Sequence, residues 1–211
     1  MSDHRKPKRR RTRVDGELSR ERILDAATEI AAERGYEGTS IGAVSANCGL
    51  PASSIYWHFK DKDDLLGAVI ERSFGDWLSA WELPAKGTPL ERAEAMAVQI
   101  AKALLNSPVF IRLGLMLALE RRPEEPRART MFTGVRAEAH DALSRAIGEV
   151  LPQLSDAHVH ELVTYAMAGA DGLFIAKEIG GDTVDLVRMF QLHARAIVDA
   201  ASRLVDEEYR S

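Results

Sequence analysis

Residues 39–59, TSIGAVSANCGLPASSIYWHF, decide the predicted fold of the N-terminal region. The opening Thr-Ser pair can begin a short helix, and Gly49 provides a turn after it. Pro51 suits the first position of a second short helix, which reaches about Phe59. Two short helices joined by a glycine-containing turn have the layout of a helix-turn-helix.

The second short helix divides into a packing face and an outward face. Ile55 and Phe59 can hold it against the preceding helix. The remaining side chains are small or polar-edged: Ala52, Ser53, Ser54, Tyr56, Trp57 and His58. Small residues allow a helix to enter the major groove of DNA, and hydroxyl and imidazole groups can hydrogen-bond to phosphate oxygens. The register of Trp57 favours a DNA contact, and a core position is the alternative.

The rest of the chain also predicts helices, since no alternating β-branched run is present. A first helix should begin at the N-cap Ser19 and end at Gly35. A fourth should follow Asp61, with Asp64 completing a capping box. Five more are predicted at about 88–106, 108–121, 124–151, 155–178 and 183–208. The expected fold class is therefore all-α, with about nine helices.

Composition and motifs exclude several classes of protein. The 211 residues contain no apolar run of the ~18 residues that a membrane span needs. The single cysteine, Cys48, is typical of a reducing, cytoplasmic setting. His158 and His160 point roughly 200° apart on a helix and cannot share a metal. Without a phosphate-binding loop or nucleophile elbow, we expect no enzyme, cofactor or metal site.

Charge is distributed unevenly along the chain. Residues 1–13 hold seven Lys or Arg against one Asp, although the whole chain carries a net charge of −4. A basic arm on an acidic body predicts a polyanionic partner, and a solubilising tail is the alternative. We therefore predict a disordered arm over 1–18, with Arg9, Arg10 and Arg11 as candidate DNA contacts.

Residues 19–68 resemble the N-terminal domain of the TetR family of bacterial transcriptional regulators. The resemblance includes the Ala-rich ILDAATEIAAERGYEGTS of residues 23–40. It continues through Gly49 and a short series of further matching positions: Tyr56, His58, Phe59 and Lys62.

The resemblance implies a DNA-binding role for specific residues. Thr39 would touch a phosphate, Ser45 would border the groove, and Pro51 to Ser54 would face base edges and backbone. Tyr56, His58 and Lys62 would bind phosphates. Ala52 stands where members often carry Lys or Arg, and Ser53 where they often carry Gly. An uncharged recognition helix would read DNA through apolar and hydroxyl contacts, or the basic arm would supply the missing charge.

The same resemblance implies a homodimeric repressor of transcription. It would bind a pseudo-palindromic operator in double-stranded DNA and leave it when a small-molecule effector binds. Two alternatives remain open: an activator or partner-responsive regulator of the same fold, and a non-specific architectural DNA-binding protein that uses the basic arm.

We divide the chain into the arm, a helix-turn-helix domain at 19–64, and a helical effector-binding and dimerisation domain at 65–211. The last helix has an apolar seam that predicts a dimer interface: Val187, Phe190, Ala194, Ile197 and Ala201. The helix before it is apolar nearly all round, which favours a second subunit covering one of its faces; a place at the centre of its own domain is the alternative.

Effector contacts are predicted where polar or large side chains interrupt apolar helices. Asp171, within YAMAGADGLFIA, is the sharpest case, since an unpartnered buried polar group is costly. The full set of candidates is Gln99, Arg112, Met116, Arg136, His140, Tyr165, Asp171 and Phe174.

Overall fold

A computed structural model of the chain describes residues 8–120 and 125–208. Every regular element in these ranges is helical, which confirms the all-α fold class. A 3-10 turn at Gly181–Thr183 follows the eighth α-helix. The α-helices are α1 (Lys8–Gly38), α2 (Ile41–Cys48), α3 (Ala52–His58), α4 (Lys62–Ser79), α5 (Pro89–Asn106), α6 (Val109–Leu119), α7 (Arg127–Val150), α8 (Asp156–Gly180) and α9 (Leu186–Glu208).

The chain forms two compact units. The N-terminal unit takes the chain as far as Arg72 together with 112–132, and the C-terminal unit takes 73–111 and the chain from Thr133 on. The helices α4, α6 and α7 therefore each contribute to both units.

Helix α1 begins before the predicted Ser19, and it breaks at the predicted Gly35. It begins at Lys8, so the predicted arm over 1–18 is helical from that residue on. Residues 1–7 lie outside the described part of the chain. At Gly35 the backbone leaves the helical region, with φ 67° and ψ −169°, and a short turn continues to Gly38. Glycine tolerates this positive φ, as the sequence predicted for the end of the helix.

The core of the N-terminal unit comes from one stripe on each of its short helices. Ile23, Ala27 and Ile30 of α1 are buried, as are Val44 of α2 and Ile55 of α3. Burial of each isoleucine or valine side chain contributes roughly 1.5–3 kcal/mol. The three helices are thereby held as one helix-turn-helix unit.

The beginning of α4 is fixed by carboxylates. Asp61 Oδ1 accepts from the backbone N–H of Asp64 at 2.8 Å, and Asp64 Oδ2 accepts from Lys60 N–H at 2.9 Å. Asp63 accepts from the backbone N–H groups of Arg127 and Ala128, which begin α7. The start of α4 thus caps α7.

In the C-terminal unit, α9 packs against α5 and α8. Phe190, Ala194 and Ala201 are buried by this packing, and Val187 and Ile197 are half-buried. Phe190, Ala194 and Ala201 therefore belong to the core of one protomer. The dimer interface along this seam stays a prediction, with Val187 and Ile197 as its partly exposed members.

No single helix within the described ranges is long and apolar enough to cross a membrane. Helices α5 and α6 meet the length and composition criteria only as a pair, bent by 82°.

Candidate functional site

Helix α3 exposes side chains that the sequence predicted to contact DNA and buries those on its other side. Ile55 is 0% exposed and Phe59 is buried, whereas Tyr56 and Trp57 are 56% and 74% exposed. Ser53 is also exposed, and Ala52 and Ser54 are half-buried at the start of the helix. Two large rings on a surface helix offer area and polar edges to a partner. We call Ala52, Ser53, Ser54, Tyr56, Trp57 and His58 the α3 face.

The Trp57 side chain of α3 lies beside Gly16, in the part of α1 that precedes the predicted start at Ser19. Its ring atoms lie 3.7 Å from where a Cβ on Gly16 would be. Its centroid lies 4.5 Å from that of His58, in an edge-on arrangement. The basic run Lys8–Arg13 is therefore part of the same helix that passes Trp57 at Gly16. The backbone at Arg9, Arg10 and Arg11 is helical.

Arg20 adds positive charge beside the α3 face. Its guanidinium lies 5.4 Å from the centre of the Phe59 ring. Burial lowers the pKa of His58 below its usual value, and the nearby Arg20 lowers it further. Sequence reasoning missed Arg20 because α1 precedes the motif; its place one residue after the predicted N-cap was the available signal.

Two predicted DNA contacts are turned inward. Thr39 is 1% exposed, and its hydroxyl donates to the Gly35 carbonyl at 2.8 Å. Ser45 donates its hydroxyl to the Leu50 carbonyl at 2.7 Å. Both hydroxyls fix local backbone, and the burial of Thr39 corrects its predicted phosphate contact. Ser40 carries the N-cap of α2 instead, accepting from Ala43 N–H.

Lys62 is held by the end of α1. Its Nζ donates to the Tyr36 carbonyl at 3.1 Å, lies 3.6 Å from a Glu37 carboxylate oxygen, and sits 4.5 Å from the Tyr36 ring centre. These contacts hold the Lys62 ammonium at the end of α1, and its contact with phosphate stays a prediction. Lys60, which the prediction missed, is exposed beside it.

An apolar cavity lies wholly within the C-terminal unit. Its empty volume is about 1190 Å³, counted out to its open side. Ligand pockets are mostly apolar with a few polar groups, and the lining of this cavity has that character. Trp77, Phe110 and Phe190 provide aromatic wall, and α5, α7, α8 and α9 provide most of the rest.

Two predicted effector residues meet in this cavity. Arg136 of α7 and Asp171 of α8 form a two-pronged ion pair, with N–O distances of 2.9 and 2.8 Å. Both line the cavity. Burial raises the pKa of Asp171 above its usual value, and Arg136 opposes that rise.

The other predicted effector residues do not line the cavity. Gln99 bonds to the backbone of Glu82, and Arg112 donates to the Ala32 carbonyl within the N-terminal unit. Met116 and Tyr165 are exposed, and Phe174 is buried in the core. The ring of His140 lies against the ring of His160.

His193 was missed by sequence reasoning. It lines the cavity, and its Nε2 lies 2.9 Å from the Ala166 carbonyl oxygen. Its ring lies so close to Gly169 that a Cβ there would be 2.2 Å from Cε1. The only signal in the sequence was a glycine on α8, Gly169, that leaves room for a histidine on α9.

Comparison with known proteins agrees with the sequence pattern. A family model described as "Bacterial regulatory proteins, tetR family" matches residues 23–69. The HTH-type transcriptional regulator AcrR of Shigella flexneri is 29% identical over 100 residues, which cover 46% of each chain. The chain thus spans about half the length of the curated relatives it matches.

Two solved structures have a similar fold. SmeT, the repressor of the Stenotrophomonas maltophilia multidrug efflux pump SmeDEF, has a TM-score of 0.67 and 22% identity, over 88% of this chain and 91% of its own. FadR from Bacillus subtilis, in complex with stearoyl-CoA, has a TM-score of 0.69 and 19% identity, over 84% of this chain and 96% of its own.

Proposed function

This chain belongs to the TetR family of bacterial regulatory proteins, and we propose that it is a transcriptional repressor that a small molecule releases from operator DNA. The observation that carries the proposal is the α3 face. It exposes two rings and a serine on a short helix whose other side is buried in a helix-turn-helix. Its partner is double-stranded DNA, which makes the cytoplasm the proposed location.

The α3 face supports recognition of DNA through hydroxyl and apolar contacts, with few charged side chains. Ser53 and Tyr56 carry hydroxyls that can donate to base edges or phosphates, and Trp57 can make apolar contact. Arg20 and Lys60 supply positive charge around the face, which attracts phosphates. Base reading and charge are thus divided between different elements.

We propose a homodimer through a different surface from the predicted seam. Helix α8 has an exposed stripe at spacings of three and four residues: Tyr165, Ala168, Gly172, Ile175 and Ile179. Leu192 of α9 is exposed as well. Apolar residues at this spacing are typical of helix pairing between subunits. A two-fold axis would present two α3 faces to half-sites about 34–36 Å apart.

We propose that the cavity takes the effector. One relative of similar fold was solved with stearoyl-CoA. Helix α4 begins at Lys62, beside the end of α1, and carries Trp77, which lines the cavity. A ligand that binds more tightly to the protein with α4 in one position shifts the population toward that position. The shift changes the distance between the two α3 faces of the dimer. Weaker DNA binding follows.

The proposal is tested by selecting duplexes from a random-sequence pool with the full chain. We expect enrichment of one pseudo-palindromic sequence, and a footprint with two protected half-sites one helical turn apart. Uniform protection of any duplex would instead favour the architectural binder.

A further inference from the structure

The two charged groups of the cavity lie together at one end. On α7 the lining runs from Arg136 to Val150, and on α8 from Leu162 to Asp171. Arg136 and Asp171, the outermost lining positions of the two helices, are the ones that pair. The lining is otherwise apolar except for His193 and the indole of Trp77.

The opposite end of the cavity is closed by apolar side chains. Leu162 and Ala201 line the cavity and also belong to a buried cluster with Leu154. At a rise of 1.5 Å per residue, the lining of α7 extends about 20 Å from Arg136 to Val150. An extended apolar body fits this space, with one end at the ion pair.

From this arrangement we propose that the effector is an extended, uncharged amphipath. Its apolar body fills the cavity, and a single neutral group, such as an alcohol, ester or amide, hydrogen-bonds beside Arg136 and Asp171. This inference rests on the proposed ligand role of the cavity and names the chemical class of that ligand.

The ion pair selects against charged head groups. A carboxylate would have to displace Asp171 from Arg136 and leave a buried acid beside a second anion. An ammonium would approach Asp171 against the charge of Arg136. Both side chains are half-buried, so displacing one partner leaves the charge of the other poorly compensated, which is unfavourable. A neutral hydroxyl or carbonyl can bond at the edge of the pair and leave it intact.

The remaining titratable group of the lining does not alter this balance. His193 Nε2 lies 2.9 Å from the Ala166 carbonyl oxygen and donates to it, so this nitrogen is already paired within the protein. The raised pKa of Asp171 shows that burial already opposes one charge at this end.

The test compares three ten-carbon compounds that differ only in the head group: 1-decanol, decanoate and decylammonium. Binding to the full chain is measured by titration calorimetry below the concentration at which the compounds associate. We expect 1-decanol to bind at least about tenfold more tightly than either charged compound.

Charge variants make the test specific. Asp171→Asn removes the negative charge that opposes an anionic head group, so decanoate should gain at least about tenfold in affinity. Arg136→Gln removes the positive charge that opposes a cationic one and should do the same for decylammonium. Arg145→Gln, an exposed position on α7 outside the lining, is the matched control and should change nothing. A melting curve of each variant without ligand checks that it folds.

Several results would overturn the inference. These are equal or tighter binding of decanoate or decylammonium by the wild type, an unchanged head-group preference in both variants, and no binding of any compound. Each would leave intact a DNA site selected without ligand, so failure here is distinct from failure of the proposed DNA-binding function.

Discussion

At the scale of single residues, neighbours in α3 have opposite environments. Ile55 is fully buried, and Tyr56 and Trp57 beside it are mostly exposed. The crowding of rings in this stretch therefore does not enlarge the core. The exposed rings form a surface, and removing one of them should weaken DNA binding and leave folding intact.

Replacing Trp57 by alanine tests this division. Because the side chain is largely exposed, Trp57→Ala should change the free energy of unfolding by less than about 0.5 kcal/mol. It should still weaken binding to the selected duplex. Ile55→Ala, its buried counterpart, should cost about 2–5 kcal/mol of stability. Denaturant unfolding and fluorescence anisotropy measure the two effects; a Trp57→Ala variant that binds DNA normally would count against the α3 face.

His58 should titrate below its ordinary pKa of 6.5, first because of burial and then because of Arg20. The unfolded chain then takes up the proton first as the pH falls. Stability from neutral His58 is fully present above pH 6.5 and is lost as the pH falls through the folded pKa. An NMR titration should show this pKa, and Arg20→Gln should raise it. A value at or above 6.5 would contradict the assignment.

At the scale of elements, the sequence predicted the helices well because their ends are set locally. Thr88 and Glu91 form the capping box of α5, and Ser155 caps α8 at the predicted place. Three residues of the α9 seam, Phe190, Ala194 and Ala201, are buried within one protomer, since an apolar stripe indicates that it is covered and says nothing about what covers it. Sequence spacing alone cannot distinguish a neighbouring helix from a second subunit.

The effector site was only partly predictable for a related reason. Arg136 and Asp171 were identified because polar groups inside apolar runs need partners, and they are each other's partner. Gln99 has the same signal but bonds to the backbone of Glu82. The cavity itself is built from apolar side chains of several helices, which resemble ordinary core in the sequence.

The packing of α6 against α7 depends on one glycine. A Cβ on Gly114 would lie 1.9 Å from the Phe132 ring, whereas nothing lies within 4 Å of one on Gly134. Gly114→Ala should therefore destabilise the protein by about 1–3 kcal/mol through overpacking. Gly134→Ala, the matched control, should stabilise it by about 0.5–1 kcal/mol. Thermal unfolding compares them, and equal shifts would disprove the close contact.

At the scale of the whole molecule, the account requires two copies of the chain. Ile179 is 83% exposed and ends the α8 stripe, which no described element covers. A single protomer carries one α3 face, and one half-site gives limited contact with DNA. Pairing along α8 would cover the stripe and double the recognition surface.

Charge placed in the α8 stripe should separate the subunits. Ile179→Glu together with Ile175→Glu buries unpaired carboxylates in the proposed interface, so light scattering should report a monomer. Leu105→Glu, an exposed leucine on α5, is the control and should remain dimeric. A monomeric wild type, or a dimeric double variant, would reject this interface.

The most direct test of the central claim is the specificity of DNA binding. The affinity of the full chain for its selected duplex is compared with that for a scrambled duplex of the same composition, at one fixed salt concentration. The account predicts a preference of about 10³-fold or more for the selected duplex. A ratio near one would contradict sequence-specific regulation.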